Sequence, residues 1–392
     1  MTIRKKNIVL KKNEEHRLLS GHQWVFSNEI QTINGAPKSG DIVEIVRHDM
    51  KRIGIGFYNP HSLIASRLLS TQDEEIDFNF FERRISSAYA LRKKLYPKSA
   101  TYRLVYGESD FLPGLIVDKY NEYLSVQTLS AGMEDRLTLI CDVLVSMFSP
   151  RGIVERNESP LRTLEELPLK KGILRGTVEP TIIELHDIKF RVDVMEGQKT
   201  GFYLDQRENR STVRAFSKDA EVLDCFCNEG GFGLYAAKGG AKGVTGFDSS
   251  EFAIEKSKVN ATLNNLSTAG FHKGDAFQVI ADALAQNKRY DLVILDPPSF
   301  TKSRKTVATA VKGYKELNTG GIRLLRDGGV LATASCSHHV NEETFLNILN
   351  DSAVKSGRKP RLLFWGGAAP DHPTLPAMPE TRYLKFALLS VE

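Results

Sequence analysis

The chain has 392 residues, 41% of them hydrophobic and 26% charged, which excludes wholesale disorder and leaves room for two or three domains. It has no run of ~18 apolar residues, which excludes a transmembrane helix. The start, MTIRKKNIVLKKNEEHRL, lacks the apolar stretch and cleavage site of an export signal, so a cytoplasmic protein is expected. Four cysteines, Cys141, Cys225, Cys227 and Cys336, are too few for a disulfide framework, and their spacing matches no zinc site. No metal is expected.

Residues 1–70 read as a small β module. The runs Asp41–Val46 and Ile53–Tyr58 are rich in β-formers and are bounded by Asn34-Gly35, Ser39-Gly40 and Asn59-Pro60. Their spacing suggests a compact barrel or sandwich, with Trp24, Phe26 and Phe57 in its core. This module holds 11 basic and 6 acidic residues and so carries the whole net charge of +5. Arg4, Lys5, Lys6, Lys11 and Lys12 make a stripe without an acid among them, a pattern that suits either a polyanion contact or a solvated arm.

Residues 71–190 read as an α+β connecting segment. A helix over Phe80–Leu95 would bury Phe81, Ile85, Ala88 and Leu91. The loop Gly107–Gly114 follows, then strands at Leu115–Asp118 and Tyr123–Thr128.

Residues 191–392 alternate strand and helix. Strands are expected at Glu221–Phe226, Gly243–Asp248, Asp291–Asp296, Gly329–Ala334 and Tyr383–Leu389. Helices fall near 232–238, 250–264, 276–287, 307–326 and 341–354. The fold class is α/β, a mostly parallel doubly wound sheet whose ligand sits outside the strands' carboxyl ends.

The first of these strands runs into Asp224-Cys-Phe-Cys-Asn-Glu-Gly-Gly-Phe-Gly233. Glycines after a strand let the backbone turn and approach a ligand closely. The dinucleotide pattern G-x-G-x-x-G is absent, which argues against NAD. Asp248 ends the second strand, where a carboxylate can accept from a ribose diol. Asp275, in Gly274-Asp-Ala276, is placed to accept from an adenine amine. A nucleoside without a pyrophosphate fits this set, and S-adenosyl-L-methionine is such a cofactor. The fourth strand ends in Asp296-Pro-Pro-Ser-Phe300. Neither proline can donate to a strand ladder, and the loop presents Asp296 beside the cofactor. This arrangement points to methyl transfer to a nucleobase, to an amide nitrogen or to a base carbon.

The fifth strand ends in Ala332-Thr-Ala-Ser-Cys336-Ser337. C5 of cytosine is a poor nucleophile. A thiolate adding at C6 makes C5 enamine-like and able to attack a methyl sulfonium. Asp296 in its acid form suits N3 of that base. The target must be unpaired or flipped out. The competing reading of Cys336 is a small buried hydrophobe. Cys225 and Cys227 are better explained by packing, and His338 and His339 by a solvated turn.

These motifs resemble the RlmI-type family of ribosomal RNA cytosine-C5 methyltransferases over nearly the whole chain. The similar segments are Gly21–Ser27, Gly107–Gly114, Ser130-Ala-Gly132 and Gln198-Lys-Thr-Gly-Phe-Tyr-Leu-Asp-Gln-Arg207. Asp296-Pro-Pro, Gly313-Tyr-Lys315, Ser335-Cys-Ser337, Asp371-His-Pro373 and Tyr383-Leu-Lys385 follow in order. The resemblance implies an N-terminal PUA domain over 1–70, a central domain over 71–190 and a class I methyltransferase domain over 191–392. It implies Cys336 as nucleophile and Asp296 as the acid holding the base. Lys199, Thr200, Phe202, Asp205, Gln206 and Arg207 would line the cofactor side. Asp224, Phe226, Gly230, Gly231, Phe232, Asp248, Ser249, Asp275, Ala276 and Asp296 complete the expected cofactor set. The implied partner is large-subunit ribosomal RNA, gripped at its phosphates by the basic first domain, with a homodimer plausible for the family.

The chain also departs from the family's pattern. Its loop reads Cys-Phe-Cys-Asn-Glu-Gly-Gly where relatives more often carry Phe-Ser-Tyr-Thr-Gly-Gly, and Glu229 puts a negative charge there. That charge could favour a sulfonium or face water. No second cysteine follows the fourth strand. Related Asp-Pro-Pro enzymes methylate guanine nitrogen, so the alternatives are a guanine N-methyltransferase or a non-catalytic RNA-binding assembly factor.

Overall fold

A computed structural model describes residues 6–301 and 303–392. Arg4 and Lys5 of the basic stripe lie outside the described residues. Contacts group the chain into two units. The first runs to Ile183 and takes back Val192–Leu204 and Pro370–Thr381.

Its N-terminal sheet has six strands in the order Trp24–Val25, Ser66–Ser70, Arg52–Tyr58, Ile42–Val46, Asn7–Leu10, Ile30–Asn34. Asn7–Leu10 runs parallel to Ile42–Val46, and the other pairs are antiparallel. Gly54 and Gly56 let the neighbouring strand close in. A Cβ on them would meet Ser70 O at 2.3 Å and Arg67 O at 2.5 Å. The core here is aliphatic, built on Ile8, Leu10, Val25, Val43, Ile45 and Ile53, and differs from the expected one. Trp24 and Phe26 are only half-buried and lie against the guanidiniums of Arg67 and Arg17. Phe57 is buried, but in the neighbouring core of the same unit.

That neighbour is a five-stranded sheet ordered Lys170–Gly176, Gly152–Asn157, Tyr123–Thr128, Leu115–Tyr120, Thr101–Tyr106. Helices Phe78–Leu95 and Leu137–Phe148 supply buried side chains to its core. Asp77 caps the first helix by accepting from Phe80 N at 2.9 Å. The burial on that helix differs from its apolar spacing. Leu91 is 38% exposed, and Arg92 is buried in its stead. Arg92 clamps Asp110 through two nitrogens at 2.5 and 2.7 Å and reaches Asp371 O at 2.8 Å. Asp371 also accepts from Arg103 N at 2.9 Å, which gives the Asp371-His-Pro segment a structural role. The two sheets join through the Phe57 ring, which leaves no room for a Cβ at Gly132. Polar links join them as well, from Arg67 to Glu165 at 2.8 Å and from Trp24 Nε1 to Glu108 at 2.8 Å.

The second unit comprises Glu184–Arg191, Asp205–Ala369 and Arg382–Glu392. Its seven-stranded sheet runs Ala269–Lys273, Gly243–Asp248, Glu221–Cys225, Tyr290–Leu295, Leu325–Ser335, Lys385–Val391, Pro360–Gly366. The first five of these are parallel, and Lys385–Val391 is antiparallel to both of its neighbours. In chain order this is 3-2-1-4-5-7-6. The chain winds one way from the first strand and the other way from the fourth, so the switch point lies between them. The expected doubly wound sheet is present, with one addition. The edge strand Pro360–Gly366 escapes a pattern reading because its residues are mostly exposed. Side chains from both sheet faces build two apolar cores. A fully buried Leu or Val there contributes about 1.5–3 kcal/mol. No helix among the described residues is long and apolar enough to cross a membrane.

Candidate active site

The switch point sits between Asp224 and Asp296. Cys225 pairs with Leu295, and Asp296 N donates to Cys225 O at 3.4 Å. Beyond Cys225 the backbone turns sharply, with positive φ at Phe226 (64°), Asn228 (49°) and Gly230 (84°). Helix Gly231–Lys238 then begins. At Gly231 a Cβ would stand 2.7 Å from Arg210 Nε, so any side chain there would displace that buried guanidinium. Asp224 is fully buried beneath this loop and accepts from Gly233 N at 2.8 Å. Burial pushes its carboxyl up to about 8. The Gly233 N–H opposes that shift and the neighbouring charge of Asp296 adds to it.

Asp248, half-buried, accepts from Asn228 N at 3.0 Å and from Ser250 N at 2.9 Å. These bonds orient both of its oxygens and leave each a further lone pair. Ser249 beside it is exposed. Asp275 is exposed and caps helix Ala276–Ala285 by accepting from Gln278 N at 3.0 Å through Oδ1. Ala276 is buried. Phe226 is half-buried against the core. Phe232 is buried and stacks on Phe386, with ring centroids 5.9 Å apart. Cys225 and Cys227 are buried, and burial pushes both thiols up, as packing residues require. Glu229 neither faces water nor stands alone. It is buried and pairs with Lys256 Nζ at 3.0 Å.

The Gln198–Arg207 segment divides between the units. Lys199, Thr200 and Phe202 belong to the first. There the Lys199 ammonium lies 4.2 Å from the Tyr203 ring centre, the Thr200 hydroxyl donates to Asp118, and Phe202 N donates to Tyr120 Oη at 3.0 Å. Asp205, Gln206 and Arg207 belong to the second unit and are buried. Asp205 accepts from the Tyr383 hydroxyl. Gln206 Nε2 donates to Asp296 Oδ1 at 3.0 Å, and its carbonyl accepts from Asn209 at 2.6 Å.

The sequence reading missed Arg210. It is buried on the helix Arg207–Arg214. Burial lowers its pKa, against the pull of Tyr235, Asp205, Asp296 and Asp224. Its signal was the Arg207/Arg210 pair, which is one turn apart with Asn209 on a helix almost devoid of apolar residues. Such a helix buries its polar face.

The Asp296 loop is tied to the Cys336 turn by hydroxyls. Ser337 Oγ lies 3.0 Å from both Ser299 Oγ and Tyr314 Oη. The Phe300 ring packs on Tyr314, 4.5 Å between centres. Tyr314 of the Gly313-Tyr-Lys motif and Ser337 of Ser-Cys-Ser are thereby linked. Cys336 is half-buried, with Sγ 4.0 Å from Pro297 O. His338 and His339 are exposed. The second missed residue, Lys385, is buried and donates to Ser337 O at 2.7 Å and to Tyr383 O at 2.8 Å. Its signal was a lysine heading the otherwise apolar strand Lys385-Phe-Ala-Leu-Leu. Among the described residues no group of three metal-ligating side chains occurs.

This geometry sets an acid, a half-buried thiol and a glycine loop at the carboxyl ends of adjacent parallel strands. A PUA-like domain model matches residues 8–71, and an S-adenosylmethionine-dependent methyltransferase model matches residues 175–356. The ribosomal RNA large subunit methyltransferase I of Tolumonas auensis is 40% identical over 386 residues, covering 96% of this chain and 97% of that protein. Its namesake in Pseudoalteromonas atlantica is 38% identical over 390 residues, covering 98% and 99%. The solved structure of SMU.776 complexed with SAH shares the fold with a TM-score of 0.86 at 20% identity, covering 98% of this chain and 99% of that one. The chain belongs to the family of ribosomal RNA large subunit methyltransferase I and uses S-adenosylmethionine as its methyl donor.

Proposed function

We propose that this protein methylates C5 of an unpaired cytidine in large-subunit ribosomal RNA through a covalent Cys336 adduct. The observation that carries the reading is the half-buried Cys336 thiol beside the Asp296-Pro-Pro loop, held in register by Ser299, Ser337 and Tyr314. When bound, S-adenosylmethionine supplies an electrophilic methyl group on a sulfonium. Asp248 would accept from its ribose hydroxyls and Asp275 from its adenine amine, and the Gly230–Gly233 turn would let it approach the backbone.

Cys336 gives up its proton and adds to C6, forming the S–C6 bond. Asp296 in its acid form donates its proton to N3, where the displaced electron pair ends, leaving an enamine C4=C5 bond. Its electrons would then bond C5 to the methyl carbon as the bond from that carbon to sulfur breaks. A base then removes the C5 proton. The S–C6 bond breaks, Cys336 leaves as thiolate, and the N3 proton returns to Asp296. The net change is C–H to C–CH3 with one proton released. Splitting the reaction this way replaces one hard step by easier ones. The basic first domain supplies phosphate contacts, which position RNA without specifying the base. The reading includes a homodimer and a reducing cytoplasm, which suits four free thiols.

The test uses methyl-labelled S-adenosylmethionine with ribosomal RNA lacking the modification, followed by nucleoside analysis. Label in 5-methylcytidine, lost in Cys336→Ala with cofactor binding retained, is the expected result. Label in a methylguanosine, or an active Cys336→Ala, overturns the covalent mechanism.

A further inference from the structure

We infer that Lys385 is a positioning residue that holds Cys336 as a thiolate and fixes the turn carrying it. The inference rests on Cys336 being the nucleophile and goes beyond it by naming what prepares the thiol.

Lys385 opens the antiparallel strand beside the one that ends at Ser335, and the two residues are register partners. Its ammonium donates to Ser337 O at 2.7 Å and to Tyr383 O at 2.8 Å. It therefore grips the chain on one side of Cys336 while its own backbone pairs on the other. Lys385 is only 4% exposed and forms no carboxylate ion pair among the described residues. A buried cation without a carboxylate is costly, and the rest of this strand is apolar. Two backbone carbonyls do not neutralise the charge.

The groups whose negative charge favours the ammonium are Cys336 first and Glu342 second. Glu342 is bound to Arg382 at 3.1 Å, so its charge is already answered by a guanidinium. Burial otherwise pushes Lys385 down to about 8. The other titratable groups around the turn do not do this work. Tyr314 is kept neutral by burial, and its hydroxyl is bonded to Ser337. His338 is exposed and lies against the Tyr383 ring at 5.6 Å. Asp296, an acid across the loop, would oppose a thiolate when ionised, so an ammonium at the turn has a counterbalancing use.

The experiment follows Cys336 carboxamidomethylation by iodoacetamide against pH in the full-length protein, with site-specific readout by mass spectrometry. The other three cysteines are buried. Lys385→Met is expected to raise the pH midpoint of Cys336 alkylation by about one unit, slowing the reaction about tenfold at pH 7. Lys385→Arg keeps the charge and is expected to hold the midpoint. Methyl transfer by Lys385→Met should lose kcat with little change in KM for RNA, and should recover as the pH is raised. An unshifted midpoint in Lys385→Met overturns the inference. So does an equal shift in Lys385→Arg, which would mark a packing effect. Lys385→Gln replaces Met if the latter lowers the unfolding temperature. The alkylation midpoint reads Lys385 whether or not Cys336 is the methyl-transfer nucleophile, and activity of Cys336→Ala tests that separate point.

Discussion

Asp224→Asn should flatten the pH dependence of stability. Asp224 is fully buried, its Oδ1 has no hydrogen-bond partner among the described residues, and its pKa stands at about 8. In the unfolded chain the same carboxyl titrates near 4. Between those values the native protein holds one proton more than the unfolded chain. Stability is then full below pH 4 and falls as pH rises toward 8, at about 1.4 kcal/mol per unit. From pH 5 to pH 7 this one group removes roughly 3 kcal/mol. Asparagine keeps an oxygen for the Gly233 N–H and cannot ionise. Urea unfolding at pH 5, 6, 7 and 8 measures both proteins. The variant should gain on the wild type by about 1.4 kcal/mol per unit. Parallel curves would refute the reasoning and mean that Asp224 is ionised against Arg210 in the native state.

Arg92→Met should cost about 3–5 kcal/mol in urea unfolding, because it strands Asp110 as a buried unpaired charge. Its neighbour Leu91→Ala, at an exposed site, should stay within about 0.5 kcal/mol. Equal losses would deny the importance of the ion pair. Tyr314→Phe removes one hydroxyl bond to Ser337 and should cost about 1 kcal/mol of stability. Its larger effect should fall on kcat, reduced about tenfold with cofactor affinity unchanged in calorimetry, as the tie between the Cys336 turn and the Asp296 loop loosens. Equal kcat would remove Tyr314 from the positioning network.

The alternation of short apolar runs with helical stretches made the second unit's sheet legible from the chain alone. Buried parallel strands are apolar on both faces, and Leu292-Val-Ile-Leu295 carries that mark. Strand-end acids and the glycine turn were legible too, because a strand tip is a fixed place in such a sheet. Gly243–Asp248 and Tyr123–Thr128 match their expected bounds. The edge strand Pro360–Gly366 was not legible, since an edge has no apolar alternation to display. Leu91 and Arg92 exchange places for a related reason. Periodicity ranks residues by apolarity, and a paired arginine can outrank a leucine for the interior once Asp110 is folded against it. Arg210 and Lys385 escaped because a charge in the sequence reads as solvated until three-dimensional neighbours bury it. Glu229 read as a charge at the cofactor loop until Lys256, on the next helix, answered it. The sequence alone determined the order of strands along the chain and the acids and thiol at their tips, because these follow from local pattern. Which charges are buried, which partner neutralises each, and how Ser299, Tyr314 and Lys385 hold the Cys336 turn were decided only by tertiary structure. Those pairings join residues tens of positions apart, and no local periodicity encodes them.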